Sequence, residues 1–141
     1  MTQARQKPTK IIVWEATAVT LLAEVFDNAG VLVVSEAVAS IAYAVYDLDG
    51  DTPSVAVDSG SLVPAEVIFN RVGDPRWPYA TAVNFLWQIP GANFPAGDRT
   101  YRVEVVLTDG DGETIALDPL EVETLEIYSL PVGMYSPPEG P

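Results

Sequence analysis

Two acidic runs are the stretches of this sequence that most resemble a chemical site. Asp47–Asp51 (DLDGD) and Asp109–Glu113 (DGDGE) place carboxylates at alternate positions, an arrangement of oxygen ligands that suits Ca²⁺. In both runs, however, glycine stands fourth instead of sixth, and the flanking patterns predict strands where an EF-hand has helices. The twelfth position, which is an acidic ligand in an EF-hand loop, is Asp58 when counted from Asp47 and Leu120 when counted from Asp109. Turn chemistry is the favoured interpretation, and a calcium-stabilised bacterial surface module is an alternative.

Catalytic side chains are scarce in this chain. Histidine and cysteine are absent, so the usual general base and the thiol nucleophile are missing, and the serines have no histidine to activate them. Paired carboxylates would suit glycoside hydrolysis, but the acidic residues fall in predicted turns and on predicted exposed strand faces. We therefore expect a protein that is not an enzyme and that has no catalytic residues, metal site or cofactor.

Aromatic and basic residues suggest binding instead. Arg71, Arg76, Trp77 and Tyr79 fall within nine residues, and Trp14 also lies outside the predicted core positions. Trp, Tyr and Arg are enriched at protein–protein interfaces, so a subunit interface is the favoured interpretation. Exposed aromatic rings also stack on sugars, and Trp77 between prolines would form a rigid platform. A carbohydrate-binding module used in adhesion is therefore the alternative.

Both ends of the chain differ from its middle. Residues 1–10 hold three of the seven basic residues on a chain of net charge −13, and residues 131–141 hold four prolines and two glycines. We predict a basic N-terminal arm over 1–10 and a Pro/Gly-rich C-terminal arm over 129–141, both docking on neighbouring subunits. The complete predicted interface comprises Arg5, Lys7, Lys10, Trp14, Arg71, Arg76, Trp77, Tyr79, Pro131, Met134 and Tyr135.

Charge and hydropathy restrict the partners. An acidic surface repels phosphate backbones, which disfavours nucleic acid. No apolar run approaches the roughly 20 residues of a membrane-spanning helix, and the first ten residues contain no apolar segment of a secretory signal. Hydrophobic residues make up 48% of the chain and charged residues only 19%, which favours retained apolar surface for a protein partner. We expect copies of the chain itself and other proteins as partners, with no membrane.

Alternating apolar residues predict strands throughout residues 11–128. The clearest examples are Val83–Ile89 and the hairpin Thr100–Leu117, whose apolar residues recur every second position on either side of the DGDG turn. Eight or nine short strands and no convincing helix predict an all-β, antiparallel sandwich.

Four further segments carry more specific predictions. Ile11–Trp14 would be an edge strand, Ala18–Phe26 a strand covered in part on both faces, and Val31–Val34 a short return strand. In Leu120–Tyr128 the apolar positions change parity, which predicts a bulge or bend near Glu123 and Thr124.

The residues before Tyr101 predict the type of sandwich. A Pro/Gly-rich corner followed by Tyr-x-Val-x-Val resembles the tyrosine corner of immunoglobulin-like domains, in which the hydroxyl bonds to upstream backbone. Trp87 fits the large buried aromatic residue of such cores. The fold class we expect is an immunoglobulin-like β-sandwich with extended N- and C-terminal arms.

Several segments together resemble small phage-associated proteins with immunoglobulin-like folds. The resemblance covers roughly residues 11–128 and rests on Ala44–Asp49, Asn84–Pro90, Phe94-Pro95, Tyr101–Glu104 and Asp111–Glu113. In tailed phages such modules decorate capsids, form necks or build tails and baseplates. The resemblance implies a non-enzymatic virion protein, a capsid decoration or cement protein or a head–tail or tail component, made in the host cytoplasm without a signal peptide. It implies no catalytic residue.

Overall fold

Two packed β-sheets form the described part of the chain. The structure is a computed structural model that describes residues 4–27, 29–72 and 83–126. The strands are β1 (Ala4–Lys7), β2 (Lys10–Trp14), β3 (Val19–Val25), β4 (Val38–Asp47), β5 (Ala56–Leu62), β6 (Ile68–Val72), β7 (Val83–Ile89), β8 (Arg99–Asp109), β9 (Thr114–Ala116) and β10 (Leu120–Leu125). Within these ranges, helical structure is limited to α1 (Pro64–Val67) and the 3-10 turns Ser35–Ala37 and Gly91–Asn93. The predicted all-β sandwich is confirmed.

Sheet A has the strand order β1-β3-β7-β6, and sheet B has the order β2-β10-β8-β4-β5, with β9 also paired to β8. Among the described strands, all pairs are antiparallel except β2 with β10, which is parallel and sets Lys10 beside Glu121 and Trp14 beside Leu125. Within the described ranges, no helix is long and apolar enough to cross a membrane.

The core lies between the sheets, where the period-2 pattern of each strand points its apolar residues inward. From β8, Tyr101, Val103, Val105 and Leu107 are all buried, and they face Phe85 and its neighbours on β7. The predicted core positions of β7, which include Trp87, are confirmed. Strand β3 is buried on both faces, as predicted, since Leu22 and Glu24 on its outer face are each only 2% exposed.

Two strand predictions are wrong. Val31–Val34 forms no strand: its one bridge joins Leu32 to Phe26, and the Val33 carbonyl accepts a hydrogen bond from the Asn84 side chain. Strand β10 has no bulge, because its pairing with β8 and β2 runs without a register shift. The same positions face the interior along the whole strand, and only the residue types change. Thr124 faces the interior and bonds to Ala96 and Arg99, while Leu125 faces solvent.

The predicted N-terminal arm is wrong over residues 4–10. Ala4–Lys7 forms β1, an edge strand of sheet A that pairs with β3 and sets Arg5 opposite the buried Glu24. Lys10 begins β2 in the other sheet. The basic residues at this end therefore belong to the sandwich, whose ordered pairing starts before the predicted boundary at residue 11. The predicted C-terminal arm lies outside the described residues.

Tyr101 adopts the geometry predicted from the sequence. Its ring is 1% exposed and packs edge-on against Phe94, and its hydroxyl accepts a hydrogen bond from the Ala96 N–H at 3.1 Å. The hydroxyl thus ties the start of β8 to the corner that precedes it.

We expect Tyr101→Phe to lower the free energy of unfolding by about 1 kcal/mol, because the ring stays packed while the Ala96 N–H loses its acceptor. Urea denaturation measures this difference. Tyr46→Phe is the matched control, since the Tyr46 ring lies under the Arg102 guanidinium and the substitution keeps that ring. Equal effects of the two substitutions would contradict a structural role for the Tyr101 hydroxyl.

The same variant has a signature at alkaline pH. Burial raises the pKa of Tyr101 above its ordinary value near 10, so the unfolded chain ionises first as the pH rises. The contribution of the Tyr101 ionisation to the free energy of unfolding is fully present below about pH 10 and is lost as the pH rises through the pKa of Tyr101 in the folded chain. Tyr101→Phe should therefore flatten the alkaline decline in stability, leaving the share from Tyr43, whose pKa is also raised by burial.

Candidate interaction surfaces

An apolar strip lies along the free edge of sheet B. We call Lys10, Ile12 and Trp14 the β2 edge; Ile12 is 57% exposed and Trp14 is 42% exposed, whereas Ile11 and Val13 pack on the core. The parallel register places Leu125, 40% exposed, next to Trp14. Among the described residues, β10 is the only strand paired with β2. An apolar strand edge of this kind is a ready template for another chain.

Lys10 carries the only positive charge of this strip. Its ammonium lies 3.4 Å from Glu121 and 3.6 Å from Glu123 on the neighbouring strand. The hydrogen bond with Glu121 and the charge of Glu123 raise the pKa of Lys10. Lys10 therefore stays cationic at every ordinary pH and is held beside the apolar side chains.

The structure brings together only part of the predicted interface. Lys10 and Trp14 lie four residues apart on one face of β2, whereas β1, with Arg5 and Lys7, belongs to the other sheet. Arg71 lies on β6, the opposite edge strand of sheet A. The other predicted residues, Arg76, Trp77, Tyr79, Pro131, Met134 and Tyr135, lie outside the described residues. Sequence reasoning missed Ile12 and Leu125. A signal for Ile12 was present, because in a strand whose residues 11 and 13 face the core, residue 12 must face outward.

The acidic runs act as turn formers. One Asp109 carboxylate oxygen accepts the N–H groups of Asp111 and Glu113, and Gly112 has φ 84°. In the first run, Asp47 accepts the Asp49 N–H and pairs with Arg99 at 2.8 Å. These bonds use the carboxylates within the fold, as the turn interpretation predicts. Within the described ranges, no three acidic residues converge as metal ligands.

The 27–31 turn repeats the geometry of the 109–113 turn. One Asp27 carboxylate oxygen accepts the N–H groups of Ala29 and Val31, and Gly30 has φ 80°. In both turns the first residue also donates its N–H to the carbonyl of the fifth. The sequence signal is the same in both cases: aspartate first and glycine fourth.

A cleft of about 460 Å³ opens between these two turns at one end of the sandwich. Its walls are apolar, and its rim carries Asp27, Asp109 and Asp111. A cleft of this kind favours an apolar group that adjoins a positive charge. The wall comes mainly from six residues, which are Val31, Val33, Val34, Val38, Leu107 and Ile115.

Comparison with known proteins gives no assignment. No protein-family model matches this chain, and no curated protein matches it.

Proposed function

We propose that the sandwich is of the immunoglobulin-like type. Immunoglobulin domains divide their strands into an A-B-E-D sheet and a sheet containing C, F and G, to which some add C′ beside C. The order β1-β3-β7-β6 corresponds to A-B-E-D, and β10-β8-β4-β5 corresponds to G-F-C-C′. Tyr101, near the start of β8, then occupies the tyrosine-corner position of strand F. Strand order and corner together support this assignment.

We propose that this chain is a non-enzymatic structural protein of a tailed-phage virion, which binds neighbouring subunits as a capsid decoration or cement protein or as a head–tail or tail component. The observation that carries the proposal is the β2 edge, where Ile12 and Trp14 stand exposed on an edge strand of sheet B. Natural sheets usually protect such an edge with charges, proline or a bulge, whereas β2 carries one charge, Lys10 at its first residue, followed by the four apolar residues Ile11–Trp14. An edge left open in this way suits assembly. The resemblance to phage proteins supplies the setting.

Particles of the source phage test this function. In gradient-purified particles we expect mass spectrometry to find the chain in fixed stoichiometry to the major capsid or tail subunits. Deleting residues 131–141 is expected to abolish incorporation and leave the melting temperature unchanged. Absence of the wild-type chain from purified particles would overturn the proposal.

The N-terminal segment needs a different treatment from the C-terminal one. Deleting residues 1–10 would remove β1 from the edge of sheet A and Lys10 from β2, so any loss of incorporation would reflect damaged sheets. Side-chain substitution on the β2 edge is the suitable probe at this end, because Ile12 and Trp14 are exposed.

A further inference from the structure

We propose that the β2 edge joins two copies of this chain, with the two β2 strands antiparallel and related by a two-fold axis at Ile12. The inference rests on the assembly function proposed above and names one of its partners, a second copy. Isologous pairing of this kind makes a closed dimer in which each copy uses the same residues. The two B sheets then continue into one another.

The backbone of β2 permits this register. The Thr9 carbonyl accepts from the Glu121 N–H, and the Glu15 N–H donates to the Leu125 carbonyl, both toward β10. Because backbone groups alternate in direction along a strand, residues 11 and 13 also point toward β10. The N–H and carbonyl groups of Lys10, Ile12 and Trp14 therefore point away from it. Antiparallel pairing centred on Ile12 joins the three residues that have backbone groups to offer.

The side chains of the β2 edge complement themselves in this register. Ile12 meets Ile12 of the second copy, and Lys10 meets Trp14 of the second copy at both ends of the contact. The two glutamates hold the Lys10 ammonium on the β10 side, so the aliphatic stem of Lys10 is the part that packs on the Trp14 ring of the second copy. Leu125 extends the apolar contact behind each Trp14. A shift of register by two residues pairs Ile12 with Trp14 or with Lys10 of the second copy and loses both Lys–Trp pairs.

Charge repulsion between two acidic copies is limited in this arrangement. Glu123 lies beside Ile12 on the neighbouring strand β10. Across the two-fold axis the order is therefore Glu123, Ile12, Ile12 of the second copy and Glu123 of the second copy, which places three strand spacings between the two Glu123 side chains. Three spacings amount to about 14 Å, which exceeds the Debye length of about 8 Å at physiological ionic strength. The dimer should consequently weaken when the salt concentration is lowered, since the net charge of each copy is −13.

Charge substitution at the two-fold axis tests the register. Ile12→Lys and Ile12→Glu each place like charges directly opposite one another, and we expect each to raise the dimer Kd by about a hundredfold in sedimentation equilibrium. An equimolar mixture of the two variants should recover dimers. Val57→Lys is the matched control: Val57 is 56% exposed, like Ile12, but lies on β5 at the opposite edge of sheet B. It should leave the Kd unchanged.

The other outcomes overturn the proposal. These are a monomeric wild-type chain, a dimer that Ile12→Lys leaves intact, a dimer that Val57→Lys disrupts, and loss of the dimer in both Ile12 variants without recovery in their mixture. Circular dichroism confirms that each variant is folded. The result is separable from the virion test: a monomeric chain found in particles removes only the dimer, and a dimeric chain missing from particles removes only the virion function.

Discussion

Asn84→Ala is expected to lower the free energy of unfolding by about 3–5 kcal/mol, because it leaves buried backbone groups without partners. The Asn84 side chain is 1% exposed. Its carbonyl oxygen accepts the Val25 N–H at 2.7 Å, and its amide donates to the Val25 carbonyl at 3.0 Å and to the Val33 carbonyl at 2.9 Å. Urea denaturation of the purified chain measures the loss, which is a large share of the 5–15 kcal/mol typical of a domain.

The size of this effect follows from what the Asn84 amide replaces. Backbone pairing between β3 and β7 ends at Ala23 and Phe85, and beyond that point the side-chain amide bonds to both backbone groups of Val25 as a strand would. After truncation the Val25 carbonyl keeps the Val33 N–H as a donor. The Val25 N–H and the Val33 carbonyl lose the Asn84 side chain as their partner, and each buried unpaired group costs about 1–3 kcal/mol.

Gln88→Ala is the control for Asn84→Ala. It removes an amide from the same strand at an exposed position, so its effect should stay within about 0.5 kcal/mol. A loss at Asn84 no larger than the loss at Gln88 would contradict the role assigned to the Asn84 amide.

Gly91→Ala is expected to destabilise the chain by about 3 kcal/mol, at the upper end of the overpacking range. A Cβ built on Gly91 would lie 2.6 Å from the carbonyl carbon of Ala16 and 3.1 Å from the Ala18 nitrogen. These are backbone atoms of the β2–β3 turn, which rotation of a side chain cannot move away. Ala16 itself has φ 58° and donates its N–H to the Phe94 carbonyl. This hydrogen bond holds the turn close to the segment that contains Gly91.

Gly110→Ala provides the comparison, because a Cβ at Gly110 would meet no atom within 4 Å. We expect a change within about 0.5 kcal/mol, since the same residue type is introduced without a clash. Thermal melting of both variants checks the pair. Melting temperatures that fall equally would show that Gly91 does not pack against the β2–β3 turn as described.

Most of the fold prediction came from the alternation of apolar and polar residues along the strands. Strands β7 and β8 bury an apolar residue at every second position and have mostly polar residues between them, so their period-2 pattern can be read from the sequence. Tyr101 was predictable because its partner, Ala96, lies only five residues upstream. The parallel pairing of β2 with β10 was not, because Lys10 and Glu121 are far apart in sequence and no local pattern records their contact.

Elsewhere, the sequence pattern predicted the structure incorrectly because of individual residues. Thr124 interrupts the apolar series of β10 because its hydroxyl is satisfied by Ala96 and Arg99, which only the packed structure reveals. The first ten residues looked like an arm because their charges and Pro8 hide the short strand β1. At the candidate site, Lys10 and Trp14 were identified by residue type, but their common face with Ile12 depends on the strand that contains them.

The parallel β2–β10 ladder determines how the sandwich would respond to tension. Lys10 begins β2 and Leu125 ends β10, so these two residues lie at opposite ends of the ladder. A force applied between them slides the strands along one another and loads all the ladder's hydrogen bonds together. An antiparallel hairpin pulled at its open end instead breaks one bond at a time. We therefore expect pulling between Lys10 and Leu125 to require a higher force than opening such a hairpin.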